Sequence, residues 1–153
     1  MYIVYSMILC KFLSIQILNN QSGYCIIETI KGKEDVNMEI NTFDILLVDF
    51  GEVEFCGEQA GVRPAIVIQN SMGNRFSDTT IVMPFTTRIK NIDQSTHSLF
   101  IKGTGGLTKS SMLLGECIRQ ISKQRIIKRI GSVNDRATRL EVKRVYESNF
   151  GEV

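Results

Sequence analysis

A single histidine, His97, stands in the whole chain, which excludes any ribonuclease mechanism that passes a proton between two histidines. Histidine, cysteine and carboxylate residues form no cluster at metal-ligand spacing. No Gly-Lys-Ser/Thr phosphate loop is present, and the glycine-rich Gly103-Thr-Gly-Gly106 lacks the residues that would make it one. Neither a nucleophile elbow nor a Cys–His nucleophile pair is suggested. Any catalysis therefore draws on other acids and bases, with no metal and no cofactor expected.

Long apolar runs are missing as well. Residues 2–18 are largely apolar, but Lys11 interrupts them and Ser6, Ser14 and Gln16 dilute them. The stretch falls short of the roughly 18 consecutive apolar residues that a spanning helix needs. No basic residue precedes it, and Asn19-Asn-Gln-Ser-Gly23 is a poor cleavage context for a secretory signal. No membrane association is expected. Cys10, Cys25, Cys56 and Cys117 match no zinc, redox or disulfide-scaffold spacing, and they are expected to be reduced and structural in a cytoplasmic protein.

What is present fits one ordinary domain. The 153 residues lie within the usual span of about 100–200 per domain and suffice for a real core. Hydrophobic content of 43%, charged content of 22% and a net charge of +2 favour no particular partner. Charge distribution says more: between Arg119 and Arg144 stand nine Lys/Arg against two acids, Asp135 and Glu141. Such a cluster can attract a polyanion or simply form a solvated face.

Residues 1–37 differ in character from the rest of the chain. They read either as an extra hairpin, with a strand at 25–30 and a turn at 31–35, or as upstream sequence read in frame before a true start at Met38. The second is the expectation, which leaves 38–153 as the functional domain. Within it, strands are expected at 43–48, 64–69, 79–86 and 98–102, with a fifth, long one at 111–121. Pro64 suits a strand's first residue, and Pro84 suggests an edge or a bulge. The period then changes. Residues 123–130 read as a short amphipathic helix ending at Gly131, and a last helix, capped by Asn134 or Ser132, runs to about Asn149 with Ala137, Leu140, Val145 and Tyr146 as its buried stripe. Strands first and helices later predict an α+β domain on a curled antiparallel sheet or small barrel.

One Arg and one Thr stand where a turn meets a strand. Arg63, before Pro64 and after Gly57-Glu-Gln-Ala-Gly61, offers a planar fork to phosphate oxygens. Glu58, five residues earlier, could orient that Arg or accept from a base amino group; alternatively the two form a surface ion pair worth little. Thr86, at the end of its strand, is by itself uninformative.

Taken together, the motifs resemble the MazF/PemK family of toxin endoribonucleases. The family's strand "Asp-Ile-Val-Leu-Val-Asp-Phe" is matched at 44–50, "Glu-Gln-(Gly/Ala)-Gly-x-Arg-Pro" at 58–64 and "Val-Ile-Gln-Asn" at 67–70. "Gly-Asn-(Lys/Arg)-(Tyr/Phe)-Ser" stands at 73–77, the family's strand-ending Thr at 86, "Thr-His" at 96–97 and "Glu-x-Ile-Arg" at 116–119. These cover nearly all of 38–153, in order and at similar spacing.

The resemblance implies a small SH3-like antiparallel β-barrel of the CcdB/MazF type with C-terminal helices. It implies a metal-independent, sequence-specific endoribonuclease, the toxin of a type II toxin–antitoxin system, which inhibits translation. Arg63 and Thr86 take the catalytic positions. The RNA's own 2′-hydroxyl attacks the adjacent phosphorus, leaving a 2′,3′-cyclic phosphate and a 5′-hydroxyl, with Arg63 stabilising the phosphorane and Thr86 holding a phosphate oxygen. Phe50, Glu58, His97 and Glu116 match RNA-contacting positions. Each has a plainer alternative: Phe50 stacks on a base, for about 1–3 kcal/mol, or packs in the core; His97 touches RNA or is ordinary surface; Glu116 reads a base edge or pairs Arg119. Implied partners are single-stranded RNA, a second copy of the chain, a cognate antitoxin, and operator DNA only through the antitoxin complex. Gly57, Gly115 and Cys117 depart from the family's usual residues, so no cut sequence transfers. Two alternatives remain open, a CcdB-like gyrase poison relying on an exposed apolar C-terminal tip and a degenerate, autoregulatory RNA-binding module.

Overall fold

The computed structural model describes residues 38–52 and 58–151; both readings of 1–37, Gly57 and three of the four cysteines fall outside them. The elements are β1 (Asp44–Asp49), β2 (Val62–Val67), α1 (Ser71–Phe76), β3 (Thr79–Thr86), β4 (His97–Phe100), β5 (Ser111–Leu114), β6 (Arg119–Ser122), β7 (Ile126–Ser132) and α2 (Arg136–Glu147). Every strand pairing is antiparallel. The order is β4-β5-β3-β2-β1-β7, with β6 branching from β3.

The α+β class is as expected, but the sheet is not a closed barrel. Closure requires each strand to have a neighbour on both sides; among the described residues β4, β6 and β7 each have one. β3 explains the branching. Its first half, residues 79–82, pairs β6, and its end, Phe85 and Thr86, pairs β5. Pro84 falls in the gap between these ladders while pairing Ala65 of β2 on its other side. A residue without an N–H is tolerated at such a break, so the proline marks a change of partner inside the sheet rather than an edge.

Alternation within the strands separates two faces. Ile45, Ile66, Met83, Phe85, Leu113 and Phe100 point to one side and join Val142 and Val145 of α2 in a buried core. Phe85 and Phe100 meet edge to face at 5.3 Å. Each such fully buried side chain contributes about 1.5–3 kcal/mol. Asp44, 1% exposed, ties β1 to β7: its carboxylate accepts from Asn41 N (2.9 Å) and the Ser132 hydroxyl, and meets Arg129 Nη2 at 2.9 Å. A buried carboxylate is tolerated only when its oxygens are satisfied in this way.

Three sequence expectations are corrected. Residues 123–130 are not a helix but a 3-10 turn, Lys123–Arg125, leading into β7, which supplies β1 with its second neighbour. Tertiary pairing together with β-branched Ile126, Ile127 and Ile130 outweighs the helical spacing. Gly131 is accordingly no helix terminator, because a β-carbon there would lie 2.5 Å from the carbonyl oxygen of Gly105. The long strand 111–121 breaks into β5 and β6 at a 3-10 turn, Gly115–Cys117. Finally, α2 is capped by Asp135, whose Oδ1 accepts from Thr138 N at 2.8 Å. The helix buries Val142 and Val145, while Ala137, Leu140 and Tyr146 are exposed. Its rotation follows from Arg139, whose guanidinium lies 5.1 Å from the Phe43 ring centroid and whose Nε donates to Val133 O.

Candidate active site

The β2–β3 ladder carries the first placement. Its last pair is Ala65 with Pro84, and two residues further along each strand stand Arg63 and Thr86. A step of two keeps a side chain on the same face, so both leave the sheet on the side of Ala65 and Pro84, opposite the α2 core. Thr86 pairs Met112, and Leu114, two residues on, pairs His97. His97 therefore belongs to that face too. Residues 23 and 34 apart in sequence are turned to one face by register alone.

Arg63 is held without being neutralised. Its Nε donates to the carbonyl of Ala60 at 2.9 Å, Nη2 donates to the same carbonyl, and Nη1 donates to Gln59 Oε1. These acceptors are uncharged, and no carboxylate pairs with the guanidinium among the described residues. Its positive charge and two remaining N–H groups stay available to an anion. Glu58 is exposed and takes no part in holding it; sequence reasoning missed Gln59, although the motif contains it. Thr86 Oγ1 accepts from Arg88 N at 3.1 Å, which leaves the hydroxyl proton to be donated outward.

The 3-10 turn after β5 supplies the rest. Glu116 is 44% exposed at its side chain and its Oε1 lies 2.9 Å from His97 Nε2. His97 is 6% exposed, and its Nδ1 faces the Asn91 carbonyl at 2.8 Å. Burial disfavours the charged ring, but the hydrogen bonds to Glu116 and to the Asn91 and Lys90 carbonyls outweigh it and hold the pKa above its ordinary value. Cys117, a free thiol, is pushed up by burial and by the Glu116 charge, against the opposing Gln59 hydrogen bond and Arg63 charge. Gln59 thus joins Arg63 to Cys117, and Glu116 joins Cys117 to His97.

Two expected contributors stand apart. Phe50 is 3% exposed; its ring occupies the core-packing alternative and is closed to base stacking in this conformation. His97 is buried rather than surface, and its partners are protein groups; Glu116 pairs His97 rather than Arg119. The basic cluster is largely spoken for. Arg129 serves Asp44, Arg139 holds Val133, Arg144 pairs Glu141, Lys143 pairs Glu147, Lys123 donates to Asn74 O and Arg125 to Asp49 O. It is framework more than phosphate track. The Gly-Asn-Arg-Phe-Ser motif likewise builds α1, whose Asn74 is 2% exposed and bridges Gln69 O and the Thr80 hydroxyl. Among the described residues no three His, Cys, Asp or Glu side chains gather as a metal would require, and no helix is long and apolar enough to cross a membrane.

Comparison with known proteins places these features. Residues 41–145 match the family described as PemK-like, MazF-like toxin of type II toxin–antitoxin system. Endoribonuclease EndoA of Bacillus subtilis (strain 168) is 39% identical over 97 residues, which cover 59% of this chain and 84% of that protein. Endoribonuclease MazF of Staphylococcus saprophyticus is 34% identical over 108 residues, 71% of this chain and 88% of that one. In fold, the chain is similar to the crystal structure of MazF from Deinococcus radiodurans, with a TM-score of 0.64 at 19% identity, covering 76% of this chain and 100% of that one. It is also similar to a mycobacterial endoribonuclease solved in complex with its cognate antitoxin, with a TM-score of 0.58 at 15% identity, covering 71% and 92%.

Proposed function

The chain belongs to the PemK-like, MazF-like toxin family of type II toxin–antitoxin systems, and from that premise we propose that it is a toxin endoribonuclease whose chemistry is carried by Arg63 and Thr86. The observation that supports this most is the β2–β3 register, which turns both residues to one face. Its functional domain is 38–153, and it acts in the cytoplasm, where messenger RNA is its single-stranded substrate.

In the proposed reaction the 2′-oxygen bonds to the adjacent phosphorus and the bond to the 5′-oxygen breaks. The proton lost by the 2′-hydroxyl is balanced by the one gained at the leaving oxygen. The products are a 2′,3′-cyclic phosphate and a 5′-hydroxyl, with no water consumed. DNA lacks the attacking group and is spared. The guanidinium of Arg63, held by neutral acceptors, stabilises the extra charge on the phosphorane. An arginine side chain does not give up its proton in a protein, so Arg63 acts electrostatically. The Thr86 hydroxyl donates to a phosphate oxygen. Glu58 and Glu116, exposed beside these two, accept from base edges, with His97 behind Glu116. Phe50 joins the RNA contacts only after leaving its buried position. The working unit is a homodimer. A cognate antitoxin covers the same face, and operator DNA is reached through that complex.

The test is cleavage of a long single-stranded RNA by the full chain in EDTA, beside Arg63→Ala, with the new 5′ ends sequenced and their chemistry identified. Discrete cuts bearing 5′-hydroxyls and lost in the variant are expected. Absence of cutting by folded wild-type protein would overturn the nuclease reading. It would turn attention to protein contact through the C-terminal end of α2, where Tyr146 and, beyond the helix, Phe150 pack edge to face at 5.5 Å in solvent.

A further inference from the structure

We propose that His97 is a positioning residue: it fixes Glu116 as an anionic acceptor for the amino group of a substrate base, so that base selection depends on the charge of a buried imidazole. The proposal rests on the ribonuclease reading of this face and deepens it.

Both ring nitrogens of His97 face acceptors, the Asn91 carbonyl at 2.8 Å and the Glu116 carboxylate at 2.9 Å. A neutral imidazole has only one N–H. Against a carboxylate at Glu116 its bare nitrogen would lie on an oxygen lone pair, so with that carboxylate both contacts are satisfied only when the ring is protonated. At 6% exposure the ring has no free atom for RNA. Glu116 does, because His97 takes one carboxylate oxygen and leaves the other free on a side chain that is 44% exposed.

The ring's frame is fixed from several elements. Arg144 of α2 donates to the carbonyls of Ser95 (2.9 Å) and His97 (3.2 Å), and its own charge is offset by Glu141 at 2.7 Å. Gly115 N donates to Thr96 O at 2.8 Å, locking the turn that carries Glu116 to the loop that carries His97. Among the described residues the charged group that meets the imidazole is Glu116 from the turn, while the Arg144–Glu141 pair of α2 holds the backbone of His97 and Lys90 contributes its carbonyl. The arrangement has a physical purpose in an RNA site. A bare carboxylate repels phosphates, whereas one paired with a buried cation keeps its acceptor without its net charge. Cytosine, adenine and guanine each carry an amino donor and uracil carries none, so the position read by Glu116 is one that favours an amino-bearing base.

The full chain tests this in two independent readouts. With one histidine in the sequence, the imidazole gives one NMR titration. Its midpoint is expected above the ordinary value of 6.5 and lower in Glu116→Gln. In sequenced cleavage sites compared within each pH, preference for an amino-bearing base at one position is expected to fall about tenfold in His97→Asn, the range of a hydrogen bond to a charged group. The same loss is expected in wild type between pH 6 and pH 9, which keeps the test valid should His97→Asn fail to fold. An unchanged preference in folded His97→Asn and across pH, or an imidazole midpoint that ignores Glu116→Gln, would overturn the proposal. If no RNA is cut at all, the ribonuclease reading and this inference fall together, while the titration still reports whether the His97–Glu116 bond exists.

Discussion

Gly115 lies directly beneath Val145: a β-carbon on the glycine would sit 2.8 Å from Val145 Cγ1 and 2.9 Å from its carbonyl oxygen. The carbonyl of Thr96 closes the third side, also at 2.9 Å. Backbone atoms cannot step aside as a side-chain tip can. The approach of α2 to the turn bearing Glu116 and Cys117 therefore depends on this residue having no side chain.

Gly115→Ala is expected to destabilise the fold by about 1–3 kcal/mol, as overpacking does. Denaturant unfolding of the two proteins measures it, and a change below a few tenths would mean that α2 is not seated as described. Because Glu116 is the next residue, RNA cleavage should fall further than the loss of folded protein explains.

Removing the guanidinium should cost far more in rate than in stability. Arg63→Ala is expected to lower kcat by about 10²–10³-fold, the scale of a lost transition-state donor. Arg63→Lys should rescue little, because a point charge cannot reproduce the planar fork. Thr86→Val, which keeps the shape and removes the hydroxyl, should also lower kcat with the circular dichroism spectrum unchanged. Full activity in either Arg63 variant would sink the assignment.

Stability should fall as pH rises through the histidine range. The folded-state pKa of His97 is raised, since hydrogen bonds to Glu116 and to the Asn91 and Lys90 carbonyls outweigh the burial that opposes them. The sign comes from linkage. The contribution is fully present below the unfolded value of 6.5 and is lost as pH climbs through the higher folded value. Unfolding free energies at pH 6 and pH 8.5 should show the drop, and Glu116→Gln should flatten it; a rise over that interval would contradict the His97–Glu116 pair.

Cys117 should be a slow nucleophile. Burial and the Glu116 charge hold its thiol protonated beyond the ordinary range despite Gln59 and Arg63, and only the thiolate attacks. Alkylation at pH 8, read at this residue by mass spectrometry, is expected to lag behind a free thiol and to speed up in Glu116→Gln. Reaction faster than the free thiol would mean that Arg63, not Glu116, dominates its surroundings.

Much of this was legible in the chain. The β-branched runs gave β1, β2 and β3 within two residues of their observed bounds, and the motifs singled out Arg63, Thr86, His97 and Glu116 as candidates. What sequence could not carry was tertiary. Residues 123–130 keep helical spacing yet become a strand because β1 lacks a neighbour there. The buried stripe of α2 turns away from Leu140 and Tyr146 because Arg139 is drawn onto Phe43. Gln59 was visible inside the motif, but its grip on Arg63 depends on how the turn folds back, which no spacing reveals. His97 looked like a loop residue, and its burial is tied to Glu116, nineteen positions away.

The partner change at Pro84 bears on how the spacing of the proposed pair, Arg63 and Thr86, is kept. Arg63 rides on β2 where that strand pairs Val48 of β1, while Thr86 lies past the proline on β3, on the stretch that pairs β5. The two residues stand on neighbouring strands, each two positions beyond Ala65 and Pro84, the last pair that joins those strands. Their separation is consequently set by how far β2 and β3 splay beyond that last pair, as the gap of a pair of calipers is set by its pivot and not by the stiffness of either arm.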